Sequence, residues 1–155
     1  MKGLINLIVS LRGLVLSVAA RLAWLPPTLA RLCVGWLFMN TGWGKLHHLP
    51  DLVSYFTELG IPAPQIQAPF AAANEFVCGL LILVGLATRL ASVPLIIVMI
   101  VAIATAKKGD LSGVADLFGF TEFLYILLLV YLGVSGPGPL SLDRFLGPRF
   151  ERRAD

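Results

Sequence analysis

Asn74-Glu75-Phe76-Val77-Cys78-Gly79-Leu80-Leu81-Ile82-Leu83-Val84-Gly85-Leu86-Ala87-Thr88-Arg89 is an apolar run with a carboxylate set inside it. With the alanine-rich residues before it, the run is long enough to cross a bilayer as a helix. Residues three and four apart share a helix face, so Asn74, Glu75, Cys78 and Gly79 form one small polar strip. A carboxylate at that depth is costly, and such groups turn toward protein or a wet cavity rather than lipid. The rest of the chain is read by asking what surrounds Glu75.

Composition decides the solvent. The 155 residues are 57% hydrophobic and only 14% charged, against about 25% charged in an average soluble domain. Mean hydropathy is +0.86. A soluble chain of this length could not hide so much apolar surface, because small domains expose a large fraction of their area. The two cysteines, Cys33 and Cys78, lie in separate apolar segments and form neither a CxxC pair nor a disulfide framework. No zinc-ligand spacing, phosphate loop or nucleophile elbow occurs, so no metal site is expected. Arg149, Arg152 and Arg153 form a short basic tail that reads as a topology signal, not as nucleic-acid binding.

The pattern predicts an all-α membrane protein: a four-helix transmembrane bundle with an N-terminal amphipathic interfacial helix. Residues 1–25 place Lys2, Asn6, Ser10, Gly13, Ser17 and Arg21 along one helical face, with apolar residues opposite. Arg12 interrupts any signal-peptide core, and at the centre of a span it would cost about 2.5–3.5 kcal/mol. Residues 26–147 form the membrane domain, with spans at about 27–46, 68–86, 90–106 and 118–134, and 148–155 is a basic tail. Pro26-Pro27 opens the first span, where a missing N–H is no loss. A short surface helix follows over about 51–59, stopped by Gly60. Ala87-Thr88-Arg89 is too short for anything but an antiparallel turn. Pro94 frees a carbonyl in the third span, and Ser92 is placed to satisfy it. Gly136-Pro137-Gly138-Pro139 ends the fourth.

Four spans put both ends on one side. That side then holds Lys2, Arg12, Arg21, Arg31, Arg89, Arg144, Arg149, Arg152 and Arg153, against Lys45, Lys107 and Lys108 on the other. The asymmetry predicts cytoplasmic N- and C-termini. Glu75, Glu122, Lys45, His47 and Asn40 then all fall in the outer half. Glu75 with Lys45 is the first expected ion pair, and Glu122 with Lys45 or Lys107 the second. Glu75, Lys45, Glu122, His47 and Cys78 are the candidate site residues. Each also has a structural reading: Glu75 and Glu122 fixing helix register, Lys45 snorkelling to the headgroups, Cys78 acting as a small hydrophobe. His47 and His48 are adjacent and point apart, which argues against a metal pair. Trp24, Trp36 and Trp43 suit interfacial anchoring or packing.

Four motifs, in order, carry a resemblance. Arg31…Gly35…Phe38…Gly42…Lys45, Leu59-Gly60-Ile61-Pro62, Glu75-x-x-x-Gly79 with Leu83-x-Gly85-Leu86-x-Thr88-Arg89, and Gly136-Pro137-Gly138-Pro139-x-Ser141-Leu142-Asp143 are similar to the DoxX family over about residues 27–147. The resemblance implies a four-helix protein of the bacterial inner membrane. Family members are linked to a thiosulfate:quinone oxidoreductase, to membrane complexes that handle thiol or oxidative stress, and to biosynthetic gene sets for modified or metal-binding peptides. The expected role is an accessory subunit of a membrane-associated redox system, linked to thiols, sulfur or quinone, or of a biosynthetic system, docked on a protein partner in the lipid bilayer, with self-association a further expectation. A quinone pocket near Trp43 and Glu75 is the implied cofactor site. The alternatives are a quinone-reducing subunit acting on a sulfur compound and a proton-coupled small-molecule carrier. A quinone site needs an apolar pocket open to lipid beside the polar cluster; a carrier needs a polar path to the inner face.

Overall fold

The described residues form seven helices: α1 (Lys2–Leu22), α2 (Leu25–His47), α3 (Leu49–Glu58), α4 (Pro64–Val84), α5 (Thr88–Ala106), α6 (Val114–Gly119) and α7 (Thr121–Ser135). The structure, a computed structural model, describes residues 2–145, with side chains from residue 10 onward; the expected basic tail at 148–155 lies outside the described residues. No strand occurs among the described residues.

By length and composition, α4 and α5 each suffice to cross a membrane. α2 passes that test only together with Ser10–Leu22, across a 42° bend, which brings the number to at most three. The expected fourth span at 118–134 is divided. Phe120 adopts extended backbone between α6 and α7, and α7 has 15 residues, about 22 Å of helix. The expected surface helix at 51–59 is present as α3, one to two residues earlier. From Ser10 to Leu22, every residue of α1 is exposed, so this part of the helix lies apart from the bundle.

Prolines and glycines set the element limits. Proline occupies the first turns of α2, α3 and α4. α4 stops at Gly85, whose φ of +74° lets the Leu86 N–H bond the Leu81 carbonyl at 2.9 Å. Ser92 Oγ donates to the Thr88 carbonyl at 2.8 Å, so it does not serve the Leu90 carbonyl that Pro94 frees.

The bundle is two helix pairs, α2 with α4 and α5 with α7. α2 and α4 meet backbone to backbone. A Cβ added to Gly42 would strike the Phe76 backbone, and one on Gly79 would strike Phe38 and Met39. Small residues permit this close approach, which is how helices associate when lipid removes the hydrophobic drive. The two pairs join through Val34, Ile82, Leu95, Leu129 and Leu132, a buried apolar core toward the end of the bundle where α4 turns into α5.

The same end is closed by the segment after α7. Buried Arg31, only 4% exposed, donates from Nη1 to the Pro137 carbonyl at 3.2 Å and from Nη2 to the Leu140 carbonyl at 2.6 Å. Two prolines in that segment lack N–H groups, so carbonyls outnumber donors and the guanidinium fork supplies the difference. Asp143 Oδ1 accepts the Ala87 N–H at 2.8 Å, and the Asp143 N–H returns to the Gly85 carbonyl at 3.0 Å. These bonds hold Ala87 at φ +49°, a conformation costly for a residue with a Cβ.

Candidate functional site

Farther from the α4–α5 turn than this core, the two helix pairs part, leaving a cavity of about 520 Å³. That lies within the usual range for small-molecule pockets, about 300–1,000 Å³. α2 contributes Phe38, Thr41 and Lys45; α4 contributes Phe70, Ala71 and Glu75; α5 contributes Met99 and Ala102; α7 contributes Glu122 and Tyr125. The walls are mostly apolar. α3 covers one side with Leu52, Tyr55 and Phe56, joined by Leu59 at its C-terminal cap. Those four recur at helical spacing, the single apolar face of an amphipathic helix.

At the cavity wall, Lys45 Nζ bonds both oxygens of Glu75, at 2.6 and 2.7 Å. The expected pair is therefore formed. Glu75 is 2% exposed, while the Lys45 side chain is 39% exposed. The carboxylate sits about 16 Å along α4 from Pro64, so lysine must reach inward to meet it. It does so because Arg31, Phe38 and Lys45 recur every seven residues along the face of α2 turned to the bundle. Two of the three ammonium protons serve Glu75, which leaves one N–H to offer.

The other candidates are placed as follows. Glu122 lines the cavity, half-buried, but forms no ion pair with Lys45 or Lys107: among the described residues the ion pair is Lys45–Glu75. Lys107 Nζ instead stands 5.9 Å from the Phe120 ring centroid. His47 is exposed, bonds the Trp43 carbonyl through Nδ1 at 2.9 Å and packs tilted against the Trp43 ring, centroids 4.3 Å apart. Asn40 is also exposed and bonds the Trp36 carbonyl. Trp43, 54% exposed, packs against Phe76 and does not line the cavity. The pocket expected near Trp43 and Glu75 is thus beside Glu75 alone. Trp43 precedes Lys45 by two positions, about 200° around the helix, and faces outward. Cys78 is buried, donates to Asn74 Oδ1 at 3.2 Å and stands outside the cavity. Cys33 is exposed, and both thiols are free.

Tyr125, Thr41 and Phe70 were not expected at the site. Tyr125 meets Phe38 edge to face at 5.7 Å. A tyrosine three positions after Glu122 shares its helix face, and that spacing is a usable signal.

Comparison with known proteins agrees with this frame. The DoxX family profile matches residues 27–108. An uncharacterized membrane protein of Mycobacterium tuberculosis, Rv3486, is 39% identical over 138 residues, covering 80% of this chain and 84% of the relative. The chain belongs to the DoxX family. It is a membrane protein. Two further DoxX-like relatives are similar: the "Putative oxidoreductase CatD" of Bacillus subtilis, 33% identical over 76% of this chain and 84% of its own, and the inner membrane protein YphA of Escherichia coli, 31% identical over 75% and 86%. No solved structure matches the chain.

Proposed function

We propose that this DoxX protein is an accessory subunit of a membrane redox system, and that its outer cavity holds an apolar, quinone-like molecule against the Lys45–Glu75 pair. One observation carries the reading: a mostly apolar 520 Å³ cavity has a buried, ion-paired carboxylate in its wall. The residues fit a quinone. Apolar walls suit its ring and tail, the spare Lys45 N–H suits a carbonyl oxygen, and Glu122 and Tyr125 add polar contacts. When bound, a quinone would supply the electron-accepting chemistry. This chain's residues would bind it, orient it and keep water out. An oxidoreductase name on a relative fits a redox setting. Both thiols lie off the cavity, which favours an accessory role over a quinone-reducing subunit acting alone. The carrier reading finds no support, because the core beneath the cavity is apolar and closed by Ile82, Leu95 and Leu129.

The proposal includes the arrangement in the bilayer. α2, α4, α5 and α7 are the four spans, with α7 extended outward by α6. α1 lies in the interface, both ends face the cytoplasm, and a protein partner docks on the lipid-facing bundle. Nine cationic residues against three support that orientation.

The test is photolabelling of the purified protein in nanodiscs with a decyl-chain azidoquinone. Labelling should map to α5 and α7 and should fall when Ala102→Phe fills the cavity. Labelling that ignores Ala102→Phe would sink the proposal.

A further inference from the structure

A second recess lies at the opposite end of the bundle, and the proposed redox role makes no use of it. It is a hollow of about 570 Å³ between the start of α5 and the segment after α7. Arg89, Leu90, Gly136, Pro137, Asp143 and Arg144 are among its walls. The Arg89 guanidinium lies across Gly136: a Cβ there would meet Nε and Nη2 at 3.5 Å. Among the described residues, neither Arg89 nor Arg144 has a carboxylate within ion-pair distance. The one acid in the recess, Asp143, gives Oδ1 to the Ala87 N–H, and that bond holds the α4–α5 turn. Two cations against one committed anion leave the hollow with a formal charge of +1.

Apolar residues accompany it. Leu90, in its wall, is 75% exposed, and Leu140 and Phe145, each next in the chain to the lining residues Pro139 and Arg144, are also exposed. A cationic hollow at the border of a lipid-facing belt matches one chemistry: an anionic head on an apolar tail. Guanidinium forks bind phosphate oxygens through paired, charge-assisted hydrogen bonds. We infer that this recess binds the phosphate of an anionic phospholipid headgroup, with Arg89 and Arg144 as its ligands and Leu90 against the acyl chain. The lipid would come from the leaflet on the side of the α4–α5 turn. It would brace the turn that Asp143 already ties down.

The experiment is native mass spectrometry of the full chain in neutral detergent, titrated separately with phosphatidylglycerol and phosphatidylcholine. Phosphatidylglycerol should be retained in preference. Arg89→Gln and Arg144→Gln should each lower its retention about fivefold, the effect of one basic residue beside anionic lipid. Lys108→Gln, on the exposed loop after α5, should leave retention unchanged. Arg89→Lys keeps the charge and should restore part of the binding, which separates a lost contact from a damaged fold. Equal retention of the two lipids, or a double arginine variant that binds as before, would overturn the inference. So would displacement of phosphatidylglycerol by excess inorganic phosphate but not by chloride at equal ionic strength, since the ligand would then be soluble phosphate.

Discussion

Arg31 and Lys45 lie fourteen positions apart on one face of α2, and their surroundings are opposite. Arg31 is enclosed: its two terminal nitrogens bond fixed carbonyls of a segment more than a hundred residues later. Lys45 is open: it bonds a single carboxylate and borders a cavity. Around the first, the helix pairs close on an apolar core; around the second, they part. The same repeat of cation, glycine and aromatic thus builds one shut end and one accessible end. The difference lies in what the rest of the chain brings. At the shut end, Gly136–Asp143 folds back to fill the gap, whereas at the open end amphipathic α3 covers one side.

The largest effect should come from the contact both halves share. Gly42→Leu would drive a side chain into the backbone of Phe76 and Ala72, which cannot yield as a side-chain tip can. Overpacking of this kind costs about 1–3 kcal/mol, and more against backbone. Size-exclusion chromatography should show little folded protein, with the shut and open halves lost together. If Gly42→Leu folds normally, the pairing of α2 with α4 is not what joins the two halves.

Arg31→Met tests the closed half alone. Two hydrogen bonds from a charged donor, at about 1.5–3 kcal/mol each, are lost, and the desolvation of arginine is recovered in part. The net cost should be about 3 kcal/mol, read from detergent unfolding curves. Quinone labelling of the protein that remains folded should be unchanged. A parallel loss of labelling would show that the clasp on Arg31 sets the shape of the cavity at the other end.

Glu75→Gln tests the open half. Lys45 is partly exposed and can rehydrate, so stability should fall by only about 1 kcal/mol. Quinone-analogue affinity should fall about tenfold, because the amine loses the partner that fixes its spare N–H toward the cavity. Fluorescence-quenching titrations would measure it. Unchanged affinity would assign the ion pair to helix register instead.

Much of this contrast is legible in the sequence. A repeat of seven along Arg31, Phe38 and Lys45 marks a buried face, and a carboxylate within an apolar run must find a cation. Together these two facts gave the Lys45–Glu75 pair. The helices expected at 27–46, 68–86 and 90–106 appear as Leu25–His47, Pro64–Val84 and Thr88–Ala106. What periodicity cannot reveal is a place where packing is missing. The cavity exists because Thr41, Ala71 and Ala102 are too small to fill the space between the two pairs. The clasp on Arg31 depends on a return of the chain over 106 positions, beyond any local pattern. The break at Phe120 has no proline or glycine at the bend itself to announce it, although Gly119 precedes it.

The smallest effect is expected at Trp43, the aromatic residue that the sequence placed beside Glu75. Its ring stacks on His47 and Phe76, away from the cavity, on the face of α2 that meets the surroundings of the bundle. Trp43→Ala removes an exposed contact, and such substitutions usually change stability by less than about 0.5 kcal/mol. Quinone-analogue affinity should stay within about twofold of the parent, and His47→Ala should behave alike. The measurement must use energy transfer to a dansyl-labelled lipid or the photolabel, because removing Trp43 also removes part of the intrinsic fluorescence. Should Trp43→Ala lower affinity as far as Glu75→Gln does, the ligand would be bound on the outer face of α2. The contrast between a shut half and an accessible cavity would then describe packing alone, and the site would have to be sought where Trp43, His47 and Phe76 meet.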